Sequence, residues 1–252
     1  MALANVAFLA ACNGLRVLAM DWDLEAPGLV YYFKGLRDSA AANEVRTAPG
    51  VLNLLWEWVG SMKEVRTEKD VESLMGNFER GLPFERCVRE VCDSAFFSDG
   101  CLHFIGAGSP RVETPLSMDY EEALTEFPWH EFFDEMAGGY VAQSLRTWAK
   151  SRYDLILIDS RTGLAEAAGL CTMQLPDSVV LCFILNRQNI DGVARISGAV
   201  RNRRGTEVRL MAAPMRVGRQ ETSEESDARA RAIAELTRIG GFQAETAQQQ
   251  LR

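Results

Sequence analysis

A doubly wound α/β fold with a mostly parallel sheet is predicted from three features of this sequence. Short, nearly continuous apolar runs recur along it, and each ends in Asp, Asn, Gly or Pro. Segments with helical periodicity lie between those runs. The apolar runs do not alternate with polar residues, which is how strands buried on both faces read. Strands alternating with helices argue for a parallel sheet with helices on both faces, and chemistry then gathers at the carboxyl ends of the strands.

The elements follow in order. Residues 1–12, rich in Ala and Leu, read as a helix stopped by Asn13-Gly14. Leu9-Ala10-Ala11-Cys12 has the look of a lipoprotein cleavage box, but no Lys or Arg precedes it, so the helical reading is preferred. Arg16 to Met20 is a strand ending in Asp21, and Leu155 to Ile158 is another ending in Asp159. Ser178 to Leu185 ends near Asn186, and Val208 to Ala213 is stopped by Pro214. Cys101 to Ile105, closed by Gly106-Ala107-Gly108, is a weaker fifth. Helices are expected over Pro128 to Lys150, Ile190 to Arg203 and Ser223 to Arg238.

Residues 34–100 break the alternation. Leu52, Leu55, Trp56 and Val59 have helical spacing, as do Val71, Leu74 and Phe78, and then Cys87, Val88 and Val91. A mostly helical insertion is expected there, within a single domain spanning residues 1–252. Trp56, Trp58, Trp129, Phe132 and Phe133 are assigned to the core, and residues 240–252 to a frayed tail.

Composition narrows the function. The chain has 252 residues, 47% of them hydrophobic, which suffices for a substantial core and excludes disorder as the main state. No run of about 18 apolar residues occurs, so no membrane-spanning helix is expected. A net charge of -8 argues against a binder that coats nucleic acid with its whole surface. The six cysteines include no C-x-x-C pair, and only His103 and His130 could join them, so a zinc site is not supported. Buried, reduced thiols in a cytoplasmic protein fit better.

Two segments could carry chemistry. In Asp21-Trp22-Asp23-Leu24-Glu25-Ala26-Pro27-Gly28-Leu29, two carboxylates alternate just past a buried strand. Carboxylates at such an end can support Mg²⁺ through water or orient a water for attack; a capped turn with solvated acids is the plainer alternative. Tyr153-Asp154-Leu155-Ile156-Leu157-Ile158-Asp159-Ser160-Arg161-Thr162-Gly163 has the form of a Walker B strand. Its terminal Asp would hold magnesium indirectly, and Gly163 would let backbone approach a terminal phosphate.

DWDLEAPGL, YDLILIDSRTG and DSVVLCFILNRQNIDG together resemble the ParA/MinD-like nucleotide-binding proteins, the deviant Walker P-loop ATPases. The resemblance runs in order over roughly residues 1–215 and is strongest to a bacterial branch with a DWDxEAPGL-type segment. It implies a P-loop NTPase sheet, ATP and Mg²⁺ as cofactors of the full-length form, a homodimer in the ATP-bound state and a protein partner not identified by the sequence. Carried over by motif, Asp23 would position the attacking water, and Asp21 and Asp159 would support Mg²⁺. Gly163 would mark the second switch, and Asn186, Pro214 and Met215 would lie near the nucleotide base.

One departure is severe. The family's K-G-G-x-G-[KR]-[ST] loop cradles the phosphates with backbone N–H groups and a lysine. Neither G-x-x-x-x-G-K-[ST] nor the dipeptide Gly-Lys occurs here, and Gly106-Ala107-Gly108 is only a poor local substitute. Met1 stands about where the residue after the loop's Ser/Thr belongs, so the first strand and the P-loop are expected to be missing. The sheet would then keep an unpaired central edge or be closed by a rearranged strand. The rival reading is a non-catalytic interaction module that has lost the nucleotide. DNA contact has weaker support: from Arg195 to Arg252 eleven arginines face seven acids, which helix-dipole compensation and a solvated surface explain as well.

Overall fold

The computed structural model describes residues 2–33, 39–91, 99–113, 117–160, 174–218 and 222–251. The described residues fall into two compact units, the first ending at Ser160 and the second starting at residue 174.

In the first unit, α1 (Ala2–Cys12) leads to β1 (Arg16–Asp21). The stop between them is the expected one: Gly14 has φ +84°, and its N–H donates to the Ala11 carbonyl. Then come α2 (Val30–Phe33), α3 (Ser39–Thr47), α4 (Val51–Glu64), α5 (Glu68–Glu79), α6 (Leu82–Cys87) and β2 (Arg89–Glu90). β3 (Cys101–Ile105), β4 (Arg111–Val112), β5 (Met118–Asp119), α7 (Tyr120–Thr125), α8 (Trp129–Asp134), α9 (Gly138–Arg152) and β6 (Leu155–Asp159) complete it.

The main sheet has the order β2-β3-β1-β6, with β1 parallel to both β3 and β6. Val17 and Ala19 face α1 and join Ala4, Ala7, Ala11, Leu102 and Phe104 in one cluster. Leu18 and Met20 alternate with them and are equally buried, as a strand covered on both faces requires. The short antiparallel β2 ends the sheet on one side. On the other side β6 is the last strand: among the described residues none is added beside it, and none is rearranged to close it.

The second unit contains β7 (Ser178–Ile184), α10 (Arg187–Arg204), β8 (Arg209–Met215), α11 (Ser223–Arg238) and α12 (Ala244–Gln250). β7 and β8 pair in parallel as a separate sheet. Leu181, Phe183, Leu210 and Ala212 pack against Ile190, Val193 and Val200 of α10 and against Ala232 and Leu236 of α11. The doubly wound class is therefore present as mostly parallel sheets with helices, in two pieces.

Several expectations need correction. The helix over Pro128 to Lys150 is two helices, broken where Ala137 takes φ +52°. A Cβ on Gly138 would stand 2.2 Å from the Phe132 ring, so glycine lets α9 begin hard against α8. Val88 and Val91 are not helical; Val88 is extended, and the Val91 N–H donates to the Leu102 carbonyl beside β2. β8 does not stop at Pro214 but runs through it to Met215. The Ala212 N–H points to the Gln250 side chain at 2.7 Å, away from β7, and Pro214, two residues on, faces the same way. Its missing N–H therefore costs the β7 ladder nothing. The tail is also ordered: α12 packs through Ala247, and Leu251 is buried.

Candidate functional site

The carboxyl ends of β1 and β6 lie side by side. Asp21 and Asp159 are paired residues in the parallel register, and the Trp22 N–H donates to the Asp159 carbonyl at 2.8 Å. Two of the predicted carboxylates are thus brought together by the sheet itself. Asp23, two residues past Asp21, belongs to the same loop.

Asp21 organises that loop from inside. One carboxylate oxygen accepts the Asp23 N–H at 3.2 Å; the other accepts the N–H groups of Gly28 and Leu29 at 3.2 and 3.0 Å. The chain between Asp23 and Gly28 is folded back over the carboxylate, and the Ala26 N–H closes on the Asp23 carbonyl. Burial pushes the Asp21 carboxyl up to about 6, against the pull of those N–H donors, and the Asp159 charge adds to the rise. Burial raises Asp159 as well, with Asp23 as a further like charge. Acidic side chains so placed favour a cation between or beside them.

Two neighbouring side chains of this loop, Trp22 through its ring N–H and Asp23, keep a buried polar atom without a partner. The Asp23 Oδ1 is buried and makes no hydrogen bond. An unsatisfied buried acceptor costs about 1–3 kcal/mol, and a cation-bound water or an attacking water would relieve it. The donor set is all hard oxygen, which suits Mg²⁺ rather than a softer metal. Among the described residues, however, no group of three or more His, Cys, Asp or Glu could hold a metal ion directly, so these carboxylates would act on such an ion only through water. Asp21, with three N–H donors already on its oxygens, is better suited to shaping the loop and supplying field than to direct coordination.

The glycine segment after β3 has a different role from the phosphate loop considered for it. Its carbonyls point outward to the start of α4: the Val51 N–H donates to Gly106 at 2.9 Å and the Leu52 N–H to Ala107 at 2.8 Å. The Asn53 amide oxygen accepts the N–H of both Gly50 and Ser109, fixing the same junction. Those carbonyls serve the first N–H groups of α4, a helix-capping role.

A residue without a motif completes the site. Tyr120, at the start of α7, donates its hydroxyl to the Leu24 carbonyl at 2.8 Å and lays its ring against Gly108. Burial raises the Tyr120 phenol, and the charges of Asp21 and Asp23 add to the effect, so the hydroxyl stays protonated and donating. Nothing in the local sequence singles this tyrosine out; only the third dimension joins it to a loop 96 residues upstream.

Of the other predicted residues, Gly163 lies outside the described residues. Asn186, Pro214 and Met215 belong to the second unit. Asn186 is the N-cap of α10, its side-chain oxygen accepting the Asn189 N–H at 2.9 Å. Pro214 and Met215 end β8 opposite Phe183 and Ile184 of β7, so these three gather at the carboxyl end of that unit's sheet.

Comparison with solved structures places this architecture among known folds. The chain is similar to apo McdA from Cyanothece, with a TM-score of 0.59 and 14% identity over 94% of this chain and 76% of that one. It is similar to a plasmid partition protein from Borrelia burgdorferi, with a TM-score of 0.53 and 14% identity over 87% and 74%. It is also similar to the septum site-determining protein MinD from Pyrococcus horikoshii OT3, solved with Mg-ADP, with a TM-score of 0.54 and 14% identity over 99% and 87%. No family model matches the sequence, and no curated protein matches it. The shared feature is the fold, which is ParA/MinD-like.

Proposed function

We propose that this chain is the nucleotide-binding part of a Mg-ATP-dependent molecular switch ATPase of the ParA/MinD type, compromised over residues 1–252, which carry no G-x-x-x-x-G-K-[ST] loop. The observation that carries this reading is the side-by-side pairing of Asp21 and Asp159, next to Asp23 with its buried, unpartnered oxygen. The Mg²⁺ ion would supply positive charge against the phosphates of a bound nucleotide. By the resemblance, Asp21 and Asp159 would support that ion and Asp23 would position the attacking water, while Asp21 also holds the loop. Gly163 is assigned to the second switch by resemblance, and Asn186, Pro214 and Met215 to the nucleotide base. That MinD from Pyrococcus was solved with Mg-ADP supports the choice of cofactor.

The same reading expects an ATP-dependent homodimer, a cytoplasmic location and a protein partner addressed by the switch loops. Among the described residues no helix is long and apolar enough to cross a membrane. Support for DNA contact is confined to the arginine-rich second unit, where Arg195 and Arg203 of α10 are exposed.

The second reading is an interaction module that keeps the sheet and has lost the nucleotide. It is favoured by the absence from residues 1–252 of any G-x-x-x-x-G-K-[ST] loop. Paired binding and turnover assays separate the two. Under the switch reading, Asp23→Ala retains Mg-ATP binding but slows hydrolysis by about a hundredfold or more, as expected for loss of a water-orienting carboxylate. Asp159→Ala loses the magnesium-dependent binding. A chain that binds no nucleotide at any magnesium concentration supports the interaction module instead.

A further inference from the structure

We infer that Tyr120 is a positioning residue for Asp23, pinning the 21–29 loop from outside so that the water-orienting carboxylate keeps one geometry. The inference rests on the role of Asp23 proposed above. It is carried by the way the loop is held. From inside, Asp21 collects the N–H groups of Asp23, Gly28 and Leu29. Those bonds fix both ends of the turn but leave the carbonyl of Leu24, the residue after Asp23, to be satisfied elsewhere. Tyr120 satisfies it at 2.8 Å. Asp23 is therefore bracketed, with its own N–H bound to Asp21 and the following carbonyl bound to Tyr120.

The tyrosine is itself anchored. Its backbone N–H donates to the Pro110 carbonyl at 3.2 Å, and its ring lies so close to Gly108 that a Cβ there would stand 2.8 Å from it. Ser109, between them, is tied to Asn53 through its N–H and its hydroxyl. The phenol thus reaches the carboxylate loop from a fixed base on the β3–β4 connection and the start of α4. An attacking water needs its base held to a fraction of an ångström, and small displacements of such groups cost large factors in rate.

The test uses Tyr120→Phe, which keeps the ring on Gly108 and removes only the hydrogen bond, alongside Tyr120→Ala, Asp23→Asn and the Tyr120→Phe/Asp23→Asn double variant. Tyr120→Phe should lower kcat for ATP about three- to tenfold, the worth of one neutral hydrogen bond, while KM for Mg-ATP stays within about twofold. Added to Asp23→Asn, it should lower kcat no further, because the hydroxyl acts through that carboxylate. Full multiplication of the two effects, or a kcat for Tyr120→Phe equal to that of the unaltered chain, would overturn the inference. Amide hydrogen exchange over residues 21–29 supplies a readout that needs no turnover. Exchange should quicken there in Tyr120→Phe and more so in Tyr120→Ala; unchanged exchange overturns the clamp. An unaltered chain that fails to hydrolyse ATP counts against the switch reading and not against the clamp. The exchange result then stands alone as the measure of whether Tyr120 holds the loop.

Discussion

At Asp21, burial and ionisation are in conflict. The residue is buried at a strand end, and its carboxyl is pushed up to about 6, above the ordinary carboxylate value near 4. Between those values the folded chain binds a proton that the unfolded chain does not. Its contribution to stability is therefore fully present below about pH 4 and is lost as pH rises through about 6, a change of at most about 3 kcal/mol. Chemical denaturation of the unaltered chain and Asp21→Asn across that range should show the slope in the first and its loss in the second. Mg²⁺ should flatten the slope of the unaltered chain, because a cation favours the ionised form. Asp154 behaves oppositely: hydrogen bonds from the Arg16 side chain and N–H hold its carboxyl down to about 2. That pair stabilises above about pH 4 and fails as pH falls toward 2, so Asp154→Asn should remove part of the acid-unfolding transition. Asp21, Asp23 and Asp159 were legible in the sequence because apolar runs mark strand ends. Tyr120 was not, because a hydrogen bond to the backbone of a distant loop leaves no periodic or compositional trace.

The elements show the same division. β1, β3, β6 and α1 were readable to within a residue, since burial on both faces and a glycine stop are local signals. The break between α8 and α9 was not, because the apolar spacing continues across it while the backbone turns at Ala137. β8 was misjudged at Pro214, as the cost of a proline depends on which edge its missing N–H faces. At the start of α4, Gly50 is required by contact: a Cβ there would lie 2.1 Å from the Gly106 carbonyl oxygen. Gly50→Ala should push α4 off its two carbonyl acceptors and cost about 2–3 kcal/mol in a denaturant titration, whereas Gly28→Ala, whose Cβ would make only an ordinary contact with the Ala26 carbonyl oxygen at 3.8 Å, should cost under about 1 kcal/mol. Gln250→Ala removes the cap on the Ala212 N–H, at about 1 kcal/mol.

At the scale of the molecule, each unit carries its own parallel strands and its own core. The fold class was predictable from strand–helix alternation, and the likeness to McdA and MinD bears it out at the level of architecture. The division into two units was not predictable, because it depends on which strands pair, and an apolar run does not name its neighbour. The central claim is that Asp21, Asp23 and Asp159 form one Mg-nucleotide site. Calorimetric titration of the chain with ATP, in magnesium and in chelator, tests it most directly. The account predicts a binding heat that requires magnesium and disappears in Asp159→Ala. No binding heat in magnesium, or binding that survives both chelator and that substitution, would contradict it.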